Sequence, residues 1–328
     1  MNIFFVSSPL QLINATEARY FYKIEANSSL LIILDFYGKN NKEQVFNVLK
    51  NFEWPNKMIF SYVPSKNRFK LLFKIKEVIN SLRLKTYDKL FIGDYYAYEI
   101  RAVVNKIRFD ELCIFDDGNA SILVLENLQK GIKEKFGIRY FLYKSFGLNV
   151  NQLKKFRLFS AYSHTVNSDT NPNIVIDKNN YSLLKSSVPA KSKADEIIIL
   201  GVKFVEANFV TFDEYVFKLK AMISDLKKRF NGEVVYIPHR HEDKNKVISL
   251  QEILGLKIRD VNYSIEIYLI NEDFPQVVAT FFSSALFNLN LIFGHEIPLI
   301  SYYIDINVDI PSSYSEYRKL GIEVVDAY

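Results

Sequence analysis

Strand-length apolar runs alternate with helix-spaced segments along most of this chain. In the first half, residues 3–7, 30–36, 57–62, 89–95 and 111–115 form short apolar runs, whereas 42–52 and 68–84 repeat apolar residues every three or four positions. That alternation predicts βαβ units and a parallel sheet. Ser8-Pro9 reads as a helix start, with the serine as cap and the proline at the first helical position. Around 163–194 the pattern gives way to Asn, Ser, Asp and Lys with Pro172 and Pro189, which predicts a linker. Apolar runs return at 196–200, 233–237, 256–261, 276–282 and 297–303, and Thr211-Phe212-Asp213-Glu214 forms a capping box ahead of a helical segment. The expected division is an α/β domain over 1–162, the linker over 163–194, a second α/β domain over 195–310, and a terminal segment 311–328 that packs back on the first domain.

Composition narrows the class. A chain of 328 residues exceeds what one hydrophobic core usually organises, so two domains agree with its length. With 24% charged and 49% hydrophobic residues it is globular rather than disordered. No apolar run approaches the ~20 residues of a membrane span. The single cysteine, Cys113, sits in an apolar run and reads as a small buried hydrophobe; it excludes an intrachain disulfide and a cysteine-built zinc site. The opening apolar run is only a strand long and lacks a basic start, so a cytoplasmic location is expected. A net charge of +5 without a nucleic-acid-binding motif argues against nucleic acid as partner. The positive charge gathers at 66–85 and 130–157 among phenylalanines and tyrosines. Such stretches serve either as solvated helix faces or as peripheral contacts with an anionic inner membrane.

Candidate chemistry lies where apolar runs end. Ile114-Phe115-Asp116-Asp117-Gly118 closes a run with two acids and a glycine, at a strand's carboxyl end, where open α/β sheets place ligands. Alone it is equally the signature of a solvated Asp-Gly turn. The second half carries Tyr236-Ile237-Pro238-His239-Arg240-His241-Glu242, then Ser264-Ile265-Glu266, then Phe282-Ser283-Ser284-Ala285-Leu286. Read bare, His239 is a satisfied core histidine, Ser283-Ser284 a helix cap, Glu266 a first-turn glutamate facing water and Gly201 a tight turn. His239, His241, Glu242 and Asp243 are dense enough to suggest a metal site. His-x-His, however, sends its rings to opposite sides of an extended strand and no third distant histidine has a matching spacing, so no metal is expected.

Taken in order, the acidic pair with glycine, the histidine after a strand, the embedded glutamate and the paired serines resemble the bacterial sialyltransferases. Those enzymes show a D/E-D/E-G motif, an HP motif and an S or SS motif. The likeness is greatest to glycosyltransferase family 52, the lipooligosaccharide and capsule sialyltransferases, and more distant to families 80 and 38. Val6-Ser7-Ser8-Pro9-Leu10-Gln11-Leu12-Ile13-Asn14-Ala15 also resembles the start of a family 52 chain, so the likeness runs from residue 3 to about residue 303. Arg240 stands where the family usually has a proline, which bears on the local loop rather than on the role of His239.

The resemblance implies the GT-B architecture, two Rossmann-like α/β domains facing a cleft. It implies an inverting sialyltransferase that moves sialic acid from CMP-Neu5Ac to a terminal galactose-type hydroxyl of a surface glycan, in α2,3 linkage. The alternatives are another nonulosonic acid, another linkage including polysialyl extension, or a non-catalytic saccharide-binding protein of the same fold. Asp117 would be the base and His239 the donor to the departing phosphate, while Gly201, Ser264, Glu266, Ser283 and Ser284 would hold the CMP donor. Asp116 would hold the turn, and Gln11 and Asn14 would line the acceptor side. One donor phosphate needs no divalent ion, so no cofactor is expected. The expected partners are CMP-sialic acid and an oligosaccharide or glycolipid acceptor, with a homodimer left open.

Overall fold

The computed structural model describes every residue except 36–38, 63–67, 119–120, 122–123, 125–126, 128–136, 163–172, 307–310 and 327–328. The chain divides into two compact units, Met1–Leu183 and Leu184–Tyr328.

The first unit runs β1 (Asn2–Val6), α1 (Pro9–Phe21), β2 (Ser29–Asp35), α2 (Lys39–Leu49), β3 (Lys57–Ser61), α3 (Arg68–Leu82), β4 (Thr86–Ile92), α4 (Tyr98–Val104), β5 (Arg108–Phe115), α5 (Ile138–Ser145), β6 (Phe156–Ser160) and β7 (Ile174–Lys178). Its sheet has the order β3-β2-β1-β4-β5-β6-β7, with every neighbouring pair parallel. Sequence order therefore reverses between β1 and β4. β1 is buried at all five positions, which is why it reads as a continuous apolar run rather than an alternation. The Ser8 Oγ accepts from the Gln11 N–H at 3.2 Å and Pro9 opens α1, as the sequence predicts. Trp54 is buried against this helix, donating to Thr16 Oγ1 at 3.2 Å beneath the Arg19 guanidinium.

The second unit begins within α6 (Ser182–Ser187) and continues β8 (Glu196–Leu200), α7 (Phe212–Arg229), β9 (Glu233–Ile237), α8 (Lys244–Leu254), β10 (Lys257–Ile258), α9 (Ile265–Asn271), β11 (Val277–Thr280), α10 (Ser284–Phe293), β12 (Leu299–Tyr302), α11 (Pro311–Lys319) and β13 (Glu323–Val325). Its sheet is parallel too, ordered β10-β9-β8-β11-β12-β13, with the reversal between β8 and β11. The Thr211–Glu214 capping box is formed in both directions. Tyr215, Leu219, Met222 and Leu226 of α7 fill one face of the core over Ile197, Ile199 and Tyr236. Two parallel-sheet α/β units are the make-up of a GT-B chain.

Two boundaries differ from expectation. The span 163–194 is not all linker, because β7 pairs with β6 and completes the first sheet. Segment 311–328 belongs to the second unit: β13 pairs with β12, and Tyr317, fully buried, stacks on Phe287 at 4.8 Å. β13 pairs along the edge that β12 would otherwise expose. A chain ended at Asp305 should therefore lose protection in β11, β12 and α10 while the first sheet keeps its own, as read by amide hydrogen exchange. Loss confined to β1–β7 would be the contrary outcome.

Candidate functional site

At the reversal of the first sheet, β1, β4 and β5 end side by side. β5 terminates at Phe115, and Asp116-Asp117-Gly118 turns out of the sheet with Gly118 at φ 64°, a conformation that favours glycine. The two acids have opposite surroundings. Asp116 is buried; its Oδ1 accepts from Ser160 Oγ and its Oδ2 from the Ala161 N–H, both at 2.6 Å. Burial drives its pKa up to about 7 against the pull of the Ser160, Ala161 and Ser121 hydrogen bonds, and the charge of Asp117 adds to the rise. Asp117 is only half-buried, and its N–H donates to Ser121 Oγ at 3.0 Å. One acid is thus a structural pin and the other is presented outward.

Gln11 and Asn14 lie beneath this turn. Both are buried. Gln11 Oε1 accepts from the Ser7 N–H at 2.8 Å and Ser7 Oγ at 2.9 Å. Asn14 Nδ2 donates to the Asp116 carbonyl at 2.9 Å, while its Oδ1 accepts from Asn179 Nδ2 at 3.1 Å. Gln11 through its amide oxygen and Asn14 through both ends of its amide thus hold the strand ends. Gly93, at the end of β4, lets Gln11 in, since a Cβ there would come within 2.6 Å of the glutamine side chain.

Asp94 escaped the sequence reading. It accepts from the Tyr96 and Ala97 N–H groups at 3.0 Å each, and burial, then the charge of Asp117, raise its pKa. Its signal was present: Ile92-Gly93-Asp94 repeats the strand-end pattern of apolar residue, glycine and acid. Cys113, on β5, is buried and its thiol is pushed up to about 12 by that burial, so it is the inert hydrophobe expected.

In the second unit, Gly201 follows β8, His239 follows β9 and Ser283-Ser284 follow β11, so the ends that flank the reversal again carry the candidates. His239 Nδ1 accepts from the His241 N–H at 3.2 Å, which leaves Nε2 as the proton-bearing nitrogen of a neutral ring. Burial first, then the charges of Arg240, His241, Lys203 and Lys246, push its pKa down to about 3. At neutral pH His239 is therefore a neutral Nε2–H donor rather than an imidazolium. Arg240, in the place of the family proline, turns its Nε toward His241 Nε2 at 3.2 Å.

Ser283 caps α10, its Oγ accepting from the Ala285 N–H at 3.3 Å. Tyr317, which sequence reasoning missed, holds this residue from both sides: its OH accepts from the Ser283 N–H at 3.1 Å and donates to the Ser283 carbonyl at 2.8 Å. The donors left at this helix terminus, among the described residues, are the two serine hydroxyl hydrogens and the Ser284 N–H. Ser264 caps α9 through the Ile267 N–H at 3.5 Å. Glu266 is not the water-facing first-turn residue; it is buried, and its Oε1 accepts from Asn288 Nδ2 at 2.7 Å, tying α9 to α10.

Glu242 is the second residue that was undervalued. Its side chain has no exposed surface (0%) and touches Tyr236, Lys246 and the His239 N–H. With those lone pairs taken and His239 Nδ1 engaged, the His239–Asp243 run offers no ligand set. Among the described residues no three His, Cys, Asp or Glu side chains converge on a metal position.

The model of glycosyltransferase family 52 matches residues 30–300. The chain belongs to this family. Two curated relatives extend the match. The N-acetyllactosaminide alpha-2,3-sialyltransferase of Haemophilus influenzae is 24% identical over 301 residues, 88% of each chain. The CMP-N-acetylneuraminate:beta-galactoside alpha-2,3-sialyltransferase of Pasteurella multocida is 24% identical over 353 residues, 99% of each. Among solved structures, the alpha/beta-galactoside alpha-2,3-sialyltransferase of Photobacterium phosphoreum shares the fold at a TM-score of 0.52 and 12% identity, over 98% of both chains. As a family 52 member, the chain is a glycosyltransferase.

The two acids of the family motif make separable predictions. Asp116 has a folded pKa above its ordinary 3.8, so its contribution to stability is complete below that value and is lost as pH rises through about 7. Asp116→Asn should therefore flatten the decline in the first unit's urea midpoint between roughly pH 5 and roughly pH 8. An Asn variant with the wild-type slope would show that Asp116 does not bind the proton.

Proposed function

We propose that this family 52 chain is an inverting sialyltransferase that transfers sialic acid from CMP-Neu5Ac to a galactose-type hydroxyl of a bacterial surface glycan, in α2,3 linkage. The observation that carries the reading is the donor set at the carboxyl edge of the second sheet. A neutral histidine presenting Nε2–H, two serine hydroxyls and a helix terminus suit a single phosphate. A diphosphate would call for more charge. The names of both curated relatives supply the sugar and the linkage.

In this reading the acceptor hydroxyl attacks the anomeric carbon, and Asp117 takes its proton. The bond from that carbon to the phosphate oxygen breaks, and CMP leaves with the electron pair. His239 Nε2–H and the serine hydroxyls hydrogen-bond the phosphate as its charge grows. Asp116, its pKa raised to about 7 by burial, places less negative charge beside Asp117 than an ordinary carboxylate would. Ser264 caps the helix that carries Glu266, and Glu266 is assigned to the cytidine ribose. No step calls for a metal, and the product glycan is made in the cytoplasm, where an activated nucleotide donor is at hand.

The test is CMP release from CMP-Neu5Ac with a β-galactoside, run with EDTA present. Asp117→Asn should lower transfer by about 10² to 10⁴ while leaving CMP affinity unchanged. Ser283→Ala with Ser284→Ala should weaken CMP binding by about 0.5 to 1.5 kcal/mol for each lost hydroxyl. Equal CMP affinities in all three proteins would make the serines caps only, and no CMP release by the wild type would remove the reading.

We also propose that the enzyme rests on an anionic bilayer, where a glycolipid acceptor would be presented. Positions 66–67 and 130–136 of the two basic stretches lie outside the described residues. The rest converge: Phe69 and Phe73 of α3, 50% and 63% exposed, meet Phe146 at 5.5 and 6.0 Å, the first tilted and the second edge-on, with Lys76 Nζ 5.4 Å above the same ring. Exposed phenylalanines one turn apart on a lysine-rich helix face are unusual in water and suit a lipid interface. No helix among the described residues is long and apolar enough to cross a membrane. Neutralising Lys70, Lys74, Lys76 and Lys144 should release the protein from phosphatidylserine vesicles, at about 1 kcal/mol per cation, without slowing transfer to soluble lactose. Vesicle binding that is unchanged by these substitutions, or absent at low salt, would contradict the proposal.

A further inference from the structure

His239 is held at three points, and Glu242 supplies two of them. The His239 N–H donates to Glu242 Oε2 at 2.5 Å, and the His239 carbonyl accepts from the Glu242 N–H at 2.8 Å. The third is the His241 N–H on Nδ1. Only Nε2 is left to act outward.

The residue that holds His239 is itself immobilised. Glu242 Oε1 accepts from Tyr236 OH and from Lys246 Nζ, each at 2.7 Å. Tyr236 OH shares a hydrogen bond with Tyr215 OH at 2.9 Å, and Lys246 reaches the Val202 carbonyl and Glu206, both at 3.2 Å. Lys246 is itself 5% exposed at the side chain. An ion pair buried this deeply is costly to desolvate, and an apolar pair would pack as well or better. What apolar residues cannot do is accept the His239 N–H, so the network's return is the geometry of one loop.

Gly201 adds an independent line. Its backbone is not among the left-handed glycines, so the turn does not require glycine. Its lack of a Cβ is what matters: a methyl group there would overlap Glu242 Oε2 and approach Tyr236 OH to 2.5 Å. Gly201 keeps its place through its N–H on the Ile237 carbonyl at 2.9 Å, with Thr280 Oγ1 fixing the preceding Leu200 carbonyl at 2.9 Å.

We propose that Glu242 is the positioning residue that aims His239 Nε2–H at the donor phosphate, and that Gly201 serves the site by leaving room for that carboxylate rather than by touching the donor. The proposal rests on the assignment of His239 to the departing phosphate, and its test separates the two. Histidine-selective ¹⁵N NMR of the ligand-free protein should show His239 as the Nε2–H tautomer in the wild type and a mixture of tautomers in both Glu242→Gln and Gly201→Ala. Transfer should fall by up to about 100-fold in each, with the KM for CMP-Neu5Ac within about threefold of wild type. Neither substitution should slow a His239→Ala protein further, because the residue they aim is gone. If Glu242→Gln does not fold, Gly201→Ala carries the same test through a smaller change. A wild-type tautomer in both variants, or losses that multiply with that of His239→Ala, would overturn the proposal. If the tautomer shifts as expected while the wild type releases no CMP, the positioning stands and the sialyltransferase reading falls.

Discussion

Every candidate side chain depends on one constraint, the parallel pairing of all strands within each sheet. Parallel strands bring all their carboxyl ends to a single edge, and crossovers that leave on opposite faces open a gap where the strand order reverses. β1, β4 and β5 end at that gap in the first unit, and β8, β9 and β11 end at or beside it in the second. Backbone polar groups at those ends lose their ladder partners there and must find others. Gln11 on Ser7, Asn14 on the Asp116 carbonyl, Thr280 on the Leu200 carbonyl and Tyr317 on Ser283 are the answers this chain uses. Each of them buries a polar side chain and fixes the functional residue beside it.

How much of this was legible varied with burial. β8 and β9 are apolar after their opening glutamates and end where the sequence predicts, at Leu200 and Ile237. β6 was hidden by Arg157 near its start, which reads as a surface residue in a basic stretch. In the fold that arginine forks onto Asp177 of β7, Nε to Oδ2 at 2.7 Å and Nη2 to Oδ1 at 2.9 Å, so a long-range pair supplies what local pattern withheld. β7 was lost for the same reason, its Asp177 counted as linker composition. β13 is three residues long and follows a polar helix, too short for periodicity to register.

The candidate site divides along the same line. Asp116, Asp117, His239, Ser283 and Ser284 follow strand ends in the order the family motifs require, so each lies just past the carboxyl edge of its own sheet. Gln11 and Asn14, which the resemblance set on the acceptor side, are buried, with partners 4 to 165 residues away in sequence. Tyr317 lies 34 residues from the serine it holds, a distance over which no local signal operates. The chain's own departure, Arg240, lies in a loop where the backbone N–H and carbonyl of His239 are both bonded to Glu242.

The same physical device tunes the ionisable residues of both units. Burial disfavours charge, raising the pKa of Asp116 and depressing that of His239, so that His239 is neutral at neutral pH and Asp116 is only partly ionised there. In the first unit this lowers the negative charge that Asp116 places beside the half-buried Asp117. In the second it leaves a ring without a net charge whose Nε2–H, in the proposed reaction, would gain most as charge develops on a leaving phosphate. An imidazolium would already attract the ground-state phosphodiester and would hold the more highly charged monoester product tightly. In that reaction, neutrality at His239 would favour the moment of bond breaking over the resting complex. Burial is the main cause of that neutrality, and the charges of Arg240, His241, Lys203 and Lys246 add to it.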